Sequence, residues 1–165
     1  MRFPVAVILQ RTPLANRWTA ERWEPVAVEP VAADAPAGAP AKIADDAAGT
    51  RWRFSGFAIE LHRSEAEGFF LNVTAPDPKV FVMWRHVEAP AVPPVRPETV
   101  TVSYNEAARL LDGGEHVDAV PMPPEIRAWM TPFVAENYKP EPKRKVKRND
   151  PFAEGAAERD RDRRR

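Results

Sequence analysis

Three apolar runs follow one another between Arg51 and His86: residues 52–61, 68–73 and 80–85. Each is short, rich in aromatic or β-branched residues, and bounded by polar or proline-containing breaks. That pattern predicts consecutive antiparallel strands and the centre of a sheet. Trp52 and Phe54 share one parity and Phe57, Ile59 and Leu61 the other. The slip falls at Ser55-Gly56, so a β-bulge is expected there, where glycine supplies backbone freedom for the extra residue. Residues 64–68 and 75–78 read as the turns between the runs. Upstream, residues 3–10 predict a first strand with Pro4 tolerated at its start. A turn at 12–16 and a second strand over 23–28 make a hairpin. Downstream, residues 99–102 predict a further short strand. Ser103-Tyr104-Asn105-Glu106 fits the S-x-x-E capping box, which opens a helix over 104–111 that ends at Gly113-Gly114. Residues 116–120 predict a last edge strand, stopped by Pro121-Met122-Pro123-Pro124. The final helix is written by Ile126, Trp129, Met130, Phe133, Val134 and Asn137 at a 3.6-residue period, with Pro124 in its first turn and Pro132 predicting a kink. The expected architecture is α+β: a mostly antiparallel sheet, or partly open barrel, with one short helix and a C-terminal helix packed on the sheet.

Composition changes this picture at two places. Residues 29–49 are almost entirely Ala, Pro, Asp and Gly, too lean to offset the entropy of ordering them, and read as a mobile insertion loop. Residues 139–165 have almost no apolar side chains except Val146 and Phe152 and read as a disordered basic tail, leaving one β-rich domain over residues 1–138. The formal charge of zero divides unevenly: residues 1–138 carry 13 Lys/Arg against 18 Asp/Glu, and residues 139–165 carry 11 against 6. An acidic domain therefore precedes a basic tail. The chain has no cysteine, which excludes disulfides, thiol nucleophiles and thiolate-held zinc or iron–sulfur centres. No apolar run approaches the roughly 18 residues of a membrane span. The first nine residues resemble the start of a signal peptide, but Pro4 and Gln10-Arg11 interrupt the run with no small-residue cleavage site behind it, so a strand is the reading. A soluble, cytoplasmic protein is expected.

Candidate chemistry is sparse. His62, His86 and His116 are the only histidines, and none has the spacing of a metal site, so no metal and no cofactor is expected. His62-Arg63 and Arg85-His86 lie at predicted strand ends. If those ends meet, the four side chains form a basic patch suited to phosphate or carboxylate. Glu65 with Glu67, and Asp45 with Asp46, read as solvated acidic turns, and no G-x-S-x-G elbow is present. The first strand is followed by Gln10-Arg11-Thr12-Pro13-Leu14-Ala15-Asn16, which lacks the glycines of a phosphate-binding loop. Of five tryptophans, Trp52, Trp84 and Trp129 occupy periodic core positions. Trp18 and Trp23 flank Thr19-Ala20-Glu21-Arg22 in a predicted loop, where either packing or a contact surface fits. The basic runs of the tail suit a solubilising or partner-docking role better than nucleic-acid binding, because the domain before them is acidic.

Several stretches taken together carry a resemblance: residues 5–18 with 23–28, Glu60-Leu61-His62-Arg63, residues 80–85, residues 101–107, and residues 120–126 with Trp129 and Phe133. They resemble a small proteobacterial family of unknown function whose genes tend to neighbour those of molybdenum-dependent formate dehydrogenase. Members are sometimes labelled molybdopterin-guanine dinucleotide biosynthesis protein A, although this sequence lacks the glycine-rich nucleotide loop of that enzyme. The resemblance, joined to the sparse chemistry, implies a non-catalytic accessory protein that assists assembly or maturation of a formate dehydrogenase. Its partner is then a subunit of that enzyme or another maturation factor, met through Arg11, Asn16, Arg17, Trp18, Arg22, Trp23, His62 and Arg63. The alternatives are a pterin- or nucleotide-binding enzyme holding phosphate with His62, Arg63, Arg85 and His86, and a nucleic-acid binder acting through the tail.

Overall fold

A computed structural model describes residues 1–142, and the basic runs of the tail lie outside the described residues. The described residues form two antiparallel sheets. The first has the order β2-β1-β4-β3, from β1 (Arg2–Pro13), β2 (Glu21–Pro30), β3 (Ala41–Asp46) and β4 (Gly49–Glu60). The second has the order β6-β5-β7, from β5 (Lys79–His86), β6 (Val95–Thr101) and β7 (His116–Pro121). Neither sheet closes into a barrel. Contacts join β7 to β2 and β6 to β4, so the sheets face one another across a shared core. Among the described residues three α-helices complete the α+β fold: α1 (Ala66–Val73), α2 (Tyr104–Asp112) and α3 (Pro124–Asn137).

Alternation decides which side chains meet in the core. Val5, Val7 and Leu9 of β1 and Phe54 and Ile59 of β4 project from one sheet, while Val80, Val82 and Trp84 of β5, Val100 of β6 and Val120 of β7 project from the other. Phe69 and Val73 of α1 and Ile126, Met130 and Val134 of α3 close the open side. Trp129 and Phe133 sit at the margin of this core, where Trp129 packs on Phe3 and Phe133 on Phe69. The C-terminal helix thus docks on both β1 and α1, and it runs through Pro132 to Asn137.

The predicted bulge is present. Val5 pairs with Phe57 and Val7 with Phe54, so Ser55 and Gly56 stand opposite the single residue Ala6, and Gly56 takes a φ of 91°. This slip is what lets Phe54 and Ile59 reach the same core from one strand. The helix stop is also present, but the left-handed residue is Gly114, with Gly113 still helical. Glu115 N–H donates to Leu110 and Gly114 N–H to Leu111, the paired bonds of a Schellman end.

Two sequence expectations fail. Residues 68–73 are not a strand but lie in α1, whose buried Ala66, Phe69 and Val73 fall at helical spacing. An aromatic run of six residues fits either period, and the decision comes from Asn72. Its side chain donates to the carbonyls of Lys79 and Val102 (2.7 and 2.8 Å) and accepts from Lys79 N–H (2.9 Å), bonds it makes from its buried position in α1. Residues 29–49, read as loop throughout, contain β3, which hairpins onto β4 through Asp46 and Gly49. Alanine and aspartate are poor strand formers, but β3 needs no buried face of its own, because it sits at the sheet edge with most of its residues exposed.

Candidate functional site

The predicted contact residues divide between the two ends of the first sheet. β1 and β2 turn at residues 14–20, held by Leu14 N–H to the Ala20 carbonyl. Inside the turn, Asn16 Oδ1 accepts from Trp18 N–H at 3.0 Å and Thr19 N–H at 2.7 Å, an Asx turn that shapes the tip. Trp18 projects from it with 83% of its surface exposed, and the Arg17 guanidinium lies 4.8 Å from the indole centroid. Arg22, on the outer face of β2, pairs with Glu24 at 3.0 Å. Trp23 points the other way: it is only 7% exposed, and its indole N–H donates to Glu21. Of the two tryptophans that the sequence left undecided, Trp23 is packing and Trp18 is surface. The sign of the difference is strand parity, since Trp23 occupies an inward position of β2 and Trp18 occupies none.

Arg11 also points inward, at the end of β1. It pairs with Glu21 at 2.9 Å and joins Trp23, Thr50, Trp52 and Lys42 around a hollow of about 430 Å³, roofed by Val92, Pro93 and Pro94. Lys42 lies 5.6 Å from the Trp52 ring and pairs with Asp45 at 3.3 Å, so the cations of the hollow are matched by carboxylates. Sequence reasoning placed Arg11 and Trp23 in a contact surface. Their actual neighbours, Trp52 and Lys42, come from β4 and β3, and no local signal points to them.

His62 and Arg63 are at the opposite end of the sheet, just beyond β4, where His62 stands 3.4 Å from Glu60. They do not join Trp18. Nor do they join Arg85 and His86, so the predicted phosphate patch is not assembled. His62 borders a polar hollow with Thr99 and Thr101 near the end of β6, whereas His86 pairs with Val95 at its beginning. Arg85 is committed elsewhere: its guanidinium bonds both carboxylate oxygens of Glu115, and that bond holds the Glu115 carboxyl below its usual range. His86 instead meets His116 against Trp84, a grouping that the sequence did not show.

Next to His62 lies a connected polar cluster of buried and half-buried side chains. Ser103 is fully buried, and its oxygen accepts from Glu106 N–H at 3.1 Å, as the capping box requires. The return half of the box is rerouted. Glu106 accepts from the Thr101 hydroxyl at 2.6 Å, and that hydroxyl accepts in turn from Ser103 N–H at 3.1 Å. The Ser103 hydroxyl donates to Glu65, whose other oxygen receives Arg109. Burial pushes the Glu65 carboxyl up, but the bonds from Ser103 and Arg109, together with the charges of Arg109 and His62, outweigh it and hold the group below its usual value. Gly68 makes this contact possible, because a Cβ there would collide with the Ser103 oxygen. These groups satisfy one another and tie α1 to α2.

Among the described residues, no three His, Asp or Glu side chains converge as a metal site, and no helix is long and apolar enough to cross a membrane. Comparison with curated proteins and with solved structures finds no match. A family model does match, over residues 4–147, which include both sheets, all three helices and the hairpin tip. The chain belongs to that family, DUF3305, a protein family of unknown function.

Proposed function

We propose that this domain is a non-catalytic accessory protein that docks on a partner protein through the tip of the β1–β2 hairpin. The observation that carries the reading is Trp18. A large apolar side chain 83% exposed on a tip that is already shaped by Asn16, with a guanidinium against its ring, combines the two residue types that most often anchor protein interfaces. The shaped turn lowers the ordering cost of binding. The partner we propose is a subunit of a molybdenum-dependent formate dehydrogenase, or another factor in its maturation, met in the cytoplasm; the support for that choice is the sequence resemblance.

The test is a pull-down from the native host under anaerobic conditions, with a tag that contains no histidine, mass spectrometry of the bound proteins, and a reciprocal pull-down. The expected result is recovery of a formate dehydrogenase subunit by the wild-type chain and its loss with Arg17→Glu/Trp18→Ala, while His62→Ala at the far end of the sheet behaves as wild type. Equal recovery by the hairpin double variant refutes the surface. Recovery of a different protein, lost with the same variant, refutes the partner but keeps the surface.

A further inference from the structure

We propose that His86 and His116 together form a two-histidine site for a divalent transition-metal ion of the zinc, nickel or copper type. The two residues are thirty apart in the chain, and the pairing of β5 with β7 brings them together. That register sets Trp84 opposite His116, and His86, two residues beyond Trp84, projects from the same face. The His86 and His116 ring centroids are 5.8 Å apart. A metal–imidazole nitrogen bond of about 2.0–2.1 Å, with the ring centre roughly 1.2 Å behind the nitrogen, places two imidazoles that share one ion about 4.5 to 5.3 Å apart at tetrahedral or square-planar angles. The observed separation is about half an ångström wider, so a small rotation of the two exposed rings closes the site.

The pair is held in place before any ion arrives. Both rings rest on the Trp84 indole: His116 is stacked at 4.8 Å and 23°, and His86 is edge-on at 5.2 Å. The indole itself is only 5% exposed and is fixed by its N–H, which donates to Asp118 at 2.7 Å. Both histidines are exposed to solvent, where the inner face of the second sheet runs out. Among the described residues no side-chain hydrogen bond engages either ring, whereas His62 already faces Glu60. Imidazole rings that are packed on a fixed indole, exposed and uncommitted are what an incoming ion needs.

Local charge does not oppose it. Arg85, the nearest cation in the strand, projects from the opposite face of β5 and is bound by both oxygens of Glu115. Neutral imidazole selects borderline ions over magnesium and calcium. The two imidazoles are the protein ligands of the site, and water fills the remaining positions; one oxygen of Asp118 is held by the Trp84 indole.

The chain has three histidines, which makes the experiment a clean one. Full-length, chelator-treated protein without a histidine tag is titrated with zinc and with nickel by calorimetry, and side-chain NMR follows the three imidazoles. The expected result is one ion per chain, with the His86 and His116 resonances moving and His62 still. His86→Ala and His116→Ala should each weaken binding by about tenfold or more, and His62→Ala should leave it unchanged. Because both residues are exposed, their alanine variants should keep the wild-type unfolding midpoint, which is measured alongside. No binding by the wild-type protein, binding that survives the His86→Ala/His116→Ala double variant, or binding lost with His62→Ala each overturns the proposal.

Discussion

Two asparagines of this protein do the same chemistry in opposite settings. Asn72 and Asn16 each bond backbone groups through the side-chain amide, but Asn72 is completely buried and Asn16 is exposed. Asn72 ties together three segments that are distant in sequence: α1, the start of β5 and the residue after β6. Asn16 organises only its own turn. The difference teaches where polar side chains build the fold and where they leave surface for something else. Around Asn72 and Ser103 each buried side-chain polar atom has a partner inside the protein. At the hairpin tip the backbone is shaped, yet Trp18 is left without a core.

That contrast breaks most sharply at Asn72. Replacing it by alanine removes the partner of three backbone groups, one buried and two part-buried, at about 1–3 kcal/mol for each left unsatisfied, so Asn72→Ala should cost about 3 kcal/mol or more in urea unfolding. A loss below about 1 kcal/mol would show that water or a shifted helix replaces the amide. Gly68→Ala comes next. It pushes a methyl group into the Ser103 oxygen, and a cost of about 1–3 kcal/mol is expected, with a lower unfolding midpoint.

Glu65→Gln sharpens the comparison through pH. The carboxylate of Glu65 is held below its ordinary value near 4.5, so the stability it contributes is present above that value and is lost as the pH falls through the lower, folded value. The variant should therefore lose about 1 kcal/mol at pH 7, and the gap from wild type should narrow on acidification below about pH 4. A gap that stays constant down to pH 3 would mean that charge plays no part there. The smallest effect is expected at the tip. Trp18→Ala should change stability by less than about 0.5 kcal/mol in the same unfolding assay, even though it removes the largest exposed side chain of the domain. A larger loss would place Trp18 in the fold and remove the basis of the interface.

Much of the fold is legible in the chain, and the exceptions share a cause. The bulge at Ser55-Gly56, the serine cap at Ser103 and the periodic face of α3 are local: each depends on residues a few positions apart, which a linear pattern records. Residues 68–73 misled because a short aromatic run satisfies both periods, and only contacts with Lys79 and Val102 favour the helix. β3 was missed because its stability comes from a partner strand and not from its own composition.

For the sites the division is sharper still. The sequence by itself determined that the chain has three histidines and no cysteine, that Trp18 and Trp23 lie close together beside arginines, and that strands dominate. Only the tertiary structure decided that Trp23 is buried while Trp18 is exposed, that Arg11 is turned inward to meet Glu21, and that His62 and His86 are kept apart. It also decided that His86 and His116 share one indole. The physical reason is register. A side chain's type is fixed where it stands in the chain, but its neighbours across a sheet follow from pairing, and a shift of one residue would exchange every face.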